Sequence, residues 1–306
     1  MKRIGGRLGL GVALPVFLLA NCGAVEGPSG GAPPATSAPT GAPTWLTDFA
    51  GDEGRWDLVQ KGNGSVAFGV PDPRAADNCV VTLLFPGDAR LGSADRVGPG
   101  FATEIDSKQS FLYGTFRTRL KLATCKPNEE VVNGVFTYFN DGTDANRNGI
   151  PDNSEIDIEI LCGTPSVVSL TAWTDYQGEP ERFVKWTRSI DLATGDYSES
   201  PSDHEYGLVP KGNAPELRRP GFPDPGAFYE MGFEWHPSRL RFFLLIDGTE
   251  VTLWDLTDAR YVPQRPSRWL FNVWHPRTHW FGPGADADYP AGDAEMRIDW
   301  ARYWKE

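Results

Sequence analysis

From residue 45 to the end of the chain, apolar and polar positions alternate with a period of two over many short runs. In "YGTFRTRLKLATC" (113–125), Phe116, Thr118, Leu120 and Leu122 take one set of positions, and Arg117, Arg119 and Lys121 take the other. A half-buried strand imposes this pattern, because successive side chains leave it on opposite faces. "GVFTYFN" (134–140) alternates likewise, and "RWLFNVWH" (268–275) and "AEMRIDWARYW" (294–304) read as further strands. In "FFLLIDGTEVTLW" (242–254), Asp247-Gly248 separates two apolar runs and predicts a tight hairpin. Hardly any stretch repeats at 3.6 residues. The pattern predicts an all-β domain over 45–306, an antiparallel β-sandwich of many strands. The Pro- and Gly-rich stretch 198–228 breaks the period and is expected to be a non-strand excursion bordering a cleft.

One run carries chemistry as well as pattern. In "SEIDIEIL" (154–161), Ile156, Ile158 and Ile160 point one way and Glu155, Asp157 and Glu159 the other. β-branched residues at every second position suit a pleated surface packed on a core. The opposite face then holds three carboxylates, with roughly 6–7 Å between successive Cα atoms. Such crowding raises at least one pKa, so that one group keeps a proton while a neighbour stays ionised. Glycoside hydrolysis needs that division into acid and nucleophile. A solvated acidic strand face is the plain alternative.

Composition narrows the partners. The 306 residues include 11 Trp, nine Tyr and 17 Phe, and the net charge is −12, which argues against a nucleic-acid partner. A hydroxyl-rich substrate handled by aromatic faces fits better. Lys2, Arg3 and Arg7 precede the apolar run "LGLGVALPVFLLA" (8–20), so residues 1–21 read as a secretory signal peptide. "LLANC" resembles a lipobox with Cys22 as the lipid-bearing residue, although Asn21 stands where a small residue is usual. Membrane attachment through Cys22 and plain cleavage both stay open. Residues 22–44, rich in Pro, Gly, Ser and Ala, read as a flexible tether. The chain is thus expected to be exported, to an extracellular or cell-envelope location, and to act as a monomer. Among Cys79, Cys125 and Cys162 one bridge can form; Cys79–Cys125 is expected because both flank strands, with three buried thiols as the alternative.

"EIDIE" (155–159) resembles the catalytic signature of glycoside hydrolase family 16, the lichenase, laminarinase and xyloglucan transglycosylase group. "SKQSFLYGTFRTRLKL" (107–122), "GVFTYF" (134–139), "YEMGFEWHPSRLRFFLLIDG" (229–248), "FNVWHP" (271–276) and "MRIDWARYW" (296–304) are similar to that family's segments in the same order. The resemblance implies a bent jelly roll of the concanavalin A type with a concave cleft, and retention of anomeric configuration. It implies Glu155 as nucleophile, Glu159 as general acid/base and Asp157 as the residue that tunes them, with no cofactor required. It further implies sugar contacts from Glu104, Phe136, Tyr138, Trp173, Asn272 and Trp274; plain core packing is the alternative for each aromatic. Asp106 stands where lichenases carry Arg, a departure that bears on mixed-linkage specificity. The expected activity is endo-acting cleavage of a β-glucan with β-1,3 or β-1,4 linkages. Transglycosylation of cell-wall glycan and non-catalytic glycan binding are the rivals.

The same glutamate closes a second pattern. In "DANRNGIPDNSE" (144–155), Asp144, Asn146, Asn148, Asp152 and Glu155 stand at positions one, three, five, nine and twelve, with Gly149 at six. That is the spacing of oxygen ligands around Ca²⁺. The candidate ligands for a structural Ca²⁺ are Asp144, Asn146, Asn148 and Asp152, with Glu155 assigned to catalysis; a polar turn is the alternative.

Overall fold

Where the sequence alternates, the chain is extended. The computed structural model describes residues 39, 41–60, 64–87, 100–203, 209–246, 248–276, 280 and 286–306. The expected signal peptide, Cys22 and most of the tether lie outside them. In chain order the strands are β1 (Trp45–Thr47), β2 (Trp56–Gln60), β3 (Ser65–Pro71), β4 (Cys79–Phe85), β5 (Gly100–Phe111) and β6 (Gly114–Lys121). Then come β7 (Val132–Tyr138), β8 (Asp152–Leu161), β9 (Val167–Gln177), β10 (Arg182–Asp191), β11 (Asp196–Asp203) and β12 (Val209–Asn213). The last are β13 (Tyr229–His236), β14 (Arg239–Ile246), β15 (Thr249–Leu256), β16 (Ser267–His275) and β17 (Ala294–Trp304).

They form two antiparallel sheets in a sandwich, as the alternation predicts. One has eight strands, in the order β15-β14-β13-β6-β17-β4-β3 with β1 paired to β17; the other runs β12-β11-β10-β9-β8-β7-β16-β5-β2. The apolar sets meet between them. Ile156, Ile158 and Ile160 of β8 are at most 2% exposed and share one core with Phe116, Phe233, Trp235, Trp269 and Phe271. Phe116 from one sheet meets Trp269 from the other edge-on, ring centres 5.2 Å apart. Burying each isoleucine contributes about 1.5–3 kcal/mol, which fixes the face that β8 turns outward. The hairpin forms as expected: Ile246 pairs with Thr249, and Gly248 takes the positive φ of 73° that the two-residue turn demands. Its partner Asp247 lies outside the described residues.

Two expectations are corrected. The stretch 198–228 is not free of strands, because it holds the end of β11 and all of β12. β11 pairs residue for residue with β10 from Ile190↔Tyr197 to Val184↔Asp203. Near the edge of a sheet, backbone pairing suffices, and no apolar period is needed to announce it. Irregular chain follows, turning Leu217 and Phe222 into the core. Cys125 bonds Cys162, with Cα atoms 5.2 Å apart, so the expected Cys79–Cys125 bridge does not form. Pairing of β7 with β8 sets Val132 opposite Leu161 and carries Cys162 to the base of the loop holding Cys125; Cys79, wholly buried in β4, is disulfide-bonded as well.

Candidate active site

Register across three strands arranges the outward face of β8 as a grid. Glu155 lies opposite Trp173, which lies opposite Lys185; Asp157 is followed by Thr171 and Thr187, and Glu159 by Ser169 and Ser189. Shifts in register between Asp152 and Glu155, and between Val184 and Lys185, bring the first row into line. Such bulges bend a strand and re-aim its side chains. The hydroxyls pair along the grid: Thr171 Oγ1 lies 3.2 Å from Thr187 Oγ1, and Ser189 Oγ lies 3.5 Å from Ser169 Oγ. All nine grid residues line a cleft of about 650 Å³, together with Trp274 and Trp280. None of the described residues of 198–228 lines the cleft, and residues 204–208 of that expected border lie outside the described residues.

The acids are half-buried or buried, and each meets a donor. Asn153 Nδ2 donates to Glu155 Oε2 at 2.6 Å, and the Trp173 indole N–H donates to Asp157 Oδ2 at 2.9 Å. The Trp274 side chain hydrogen-bonds Glu159. Burial pushes the Glu155 pKa up to about 7, against hydrogen bonds from Asn153 and Asp157 and the charge of Lys185. Burial together with the charge of Glu155 pushes Glu159 up to about 8, against Lys185 and Trp274. Burial, then the charges of Glu155 and Glu159, raise Asp157 well above the carboxylate range. Asp157 therefore holds a proton to share with Glu155. These midpoints belong to the trio as a unit.

Of the expected sugar contacts, Trp173 and Trp274 line the cleft, and Trp274 packs against Trp280 with ring centres 5.6 Å apart. Phe136 is opposite Asp157 and half-buried on the cleft face, so core packing does not explain it; Tyr138 on the same face is 40% exposed. Gly134 lies between Glu159 and Asn272 in register, and a Cβ there would come within 2.2 Å of Asn272 Oδ1. The missing side chain leaves room for Asn272 to lie across it and donate to Glu104 Oε2 at 3.1 Å. Asn272 Oδ1 is buried without a hydrogen-bond partner among the described residues, an acceptor left open for a ligand hydroxyl. Asp106 pairs with Arg268 from the adjoining strand at 3.5 Å, so a guanidinium does reach this corner from β16. Lys185, Asn153, Trp280 and the hydroxyl grid escape sequence reasoning. "SLTAW" and "KWTRS" do show a polar period, but nothing in either run says that these strands flank the acids.

The calcium pattern closes by other means. Asp144 accepts the N–H groups of Asn148 and Gly149, Asn146 Oδ1 accepts that of Asn148, and Asn148 Oδ1 accepts that of Ile150. Asp152 accepts from Ala145 N and, at 3.1 Å, from the Arg265 guanidinium. The amides of Asn146 and Asn148 both donate to buried Asp175. These bonds are those of the polar turn, the alternative to a structural Ca²⁺. Among the described residues no three His, Cys, Asp or Glu are grouped to hold a metal ion. Glu155 itself lines the cleft.

No family model matches the chain. A curated β-glucanase of Acetivibrio thermocellus is 25% identical over 226 residues, covering 73% of this chain and 51% of the relative. The chain thus spans about half the length of the curated relatives it matches. Among solved structures, a Bacillus licheniformis β-glucanase aligns with 88% of this chain and 100% of its own at 17% identity and a TM-score of 0.47. The catalytic domain of an endo-1,3-β-glucanase (laminarinase) from Thermotoga petrophila RKU-1 aligns with 86% of this chain and 97% of its own at 17% identity and a TM-score of 0.49.

Proposed function

We propose that this chain is an endo-acting glycoside hydrolase of β-glucans that works by double displacement with retention. The observation that carries the reading is the cleft in which Glu155, Asp157 and Glu159 stand together on one strand face, each with its proton affinity raised. Glu155 attacks the anomeric carbon while Glu159 protonates the leaving oxygen, giving a glycosyl ester on Glu155. Glu159, now a base, takes a proton from water, which cleaves the ester and restores both groups. Asp157 steadies the charge on Glu155 through their shared hydrogen bond. Trp274 and Trp280 offer apolar faces to pyranose rings, and Asn272, Glu104 and the Ser/Thr grid offer partners to their hydroxyls. The 25%-identical β-glucanase supports the substrate class. The leader-like residues 1–21 and the Cys125–Cys162 bridge support an exported enzyme.

The test is a screen of the purified chain against barley β-glucan, laminarin, xyloglucan and agarose, with the configuration of the first product read by NMR. Release of the β-anomer is expected from a β-glucan. An α-anomer first product would sink the double displacement, and silence on all four polymers would sink the glucanase. Longer chains formed with excess acceptor oligosaccharide would turn the reading to glycosyl transfer.

A further inference from the structure

Lys185 on β10 is the one basic side chain among the described residues that line the cleft. Its placement is built, not incidental. The register shift at Val184/Lys185 brings it opposite Trp173, which is itself opposite Glu155. The Lys185 Nζ stands 4.2 Å from the centre of the Trp173 ring and 5.1 Å from that of Phe183, two π faces that hold an ammonium in place. Trp173 meanwhile gives its indole N–H to Asp157, so one ring fixes the cation and the central acid together. The face of Trp173 toward Lys185 therefore carries a charge instead of lying open to sugar.

We propose that Lys185 is a positioning residue for the reaction: its ammonium, clamped on Trp173 in the row of Glu155, holds Glu155 in its charged form. This rests on the roles given to the two glutamates above. The groups that face Glu155 are Asp157 and Glu159 on its own strand, Tyr138 on β7, Glu104 on β5 and Lys185 on β10; Glu181, in the turn before β10, faces Lys185. Glu104 and the neighbouring acids oppose ionisation of the trio, and Lys185 acts on all three acids in the other direction. Burial draws the Lys185 pKa down, and the same acids draw it back up.

The experiment titrates the ¹³C carboxyl resonances of glutamate in the full chain, for the wild type and for Lys185→Met, Lys185→Gln and Lys185→Arg, with kcat/KM–pH profiles alongside. Loss of a neighbouring opposite charge raises a carboxyl midpoint by about one pH unit or more. The Glu155 midpoint should rise by that amount in Lys185→Met and Lys185→Gln and return toward wild type in Lys185→Arg. The acid limb of kcat/KM should move with it, a loss of about tenfold one unit below the wild-type midpoint. An unmoved Glu155 midpoint overturns the proposal, even if turnover falls, because a packing role would produce that fall. Should Lys185→Met not fold, the Gln and Arg variants decide. The titration needs no turnover, so its failure is separate from failure of the glycosidase reading, which the polymer screen judges.

Discussion

Both sheets carry strands on which charge and apolar bulk alternate, yet the outer face of the eight-stranded sheet and the cleft face of β8 treat the charge in opposite ways. On the eight-stranded sheet, acids meet guanidinium groups across the strands. Arg117 pairs with Glu230 at 2.6 Å and with Glu250, Arg241 with Glu234 and Glu250, and Arg119 with Asp299. On the nine-stranded sheet, Glu155, Asp157 and Glu159 meet one another, with a lysine two strands away. "RTRLK" and "EIDIE" look alike as patterns, and each only says which way its side chains point. What stands opposite decides the rest. A neutralised row ties strands together. A row of like charges holds protons it would otherwise lose, which costs stability and supplies acid–base chemistry.

The contrast breaks most sharply at the nucleophile. Glu155→Gln should lower kcat on β-glucan on the order of 10⁴-fold while oligosaccharide binding persists, read by steady-state kinetics and calorimetry. Glu159→Gln should cost about 10²–10⁴-fold on polymer, and much less on an aryl glycoside whose leaving group needs no proton. Equal losses on both substrates would remove Glu159 from the acid role.

Next in size is the other sheet. Arg117→Met leaves buried Glu250 with Arg241 and takes a charged hydrogen-bond partner from Glu230, a loss of about 1.5–3 kcal/mol. Denaturant unfolding should show that loss, while the midpoints of the pH–rate profile stay in place. A shifted profile would mean that the two sheets do not divide their work in this way.

A finer test is pH. Activity needs Glu155 ionised and Glu159 protonated, so kcat/KM should rise through about 7 and fall through about 8. Stability should run the other way. Because the folded state holds these protons more tightly than the unfolded chain, stability declines as pH climbs from the ordinary carboxylate range to about 8. Glu159→Gln removes one ionisable member, so its Tm should exceed that of the wild type at pH 8 by about 2–4 °C, and the gap should close at pH 5. The smallest effect sharpens the sugar side: Gly134→Ala drives a Cβ against Asn272 and should raise KM about tenfold with kcat nearly unchanged.

By itself the sequence determined direction: which residues of β8 enter the core, and that three acids share one outward face. These are local properties, since a strand's alternation and the burial of its isoleucines depend on few residues beyond the strand. Neighbours were decided only by tertiary structure. That Lys185 and Trp173 stand beside Glu155, that Gly134 makes room for Asn272, that Cys125 bonds Cys162 and that polar β11 is a strand all follow from strand order and register. Those pairings join segments far apart in the chain, and the period of a single strand carries no information about which strand will lie against it.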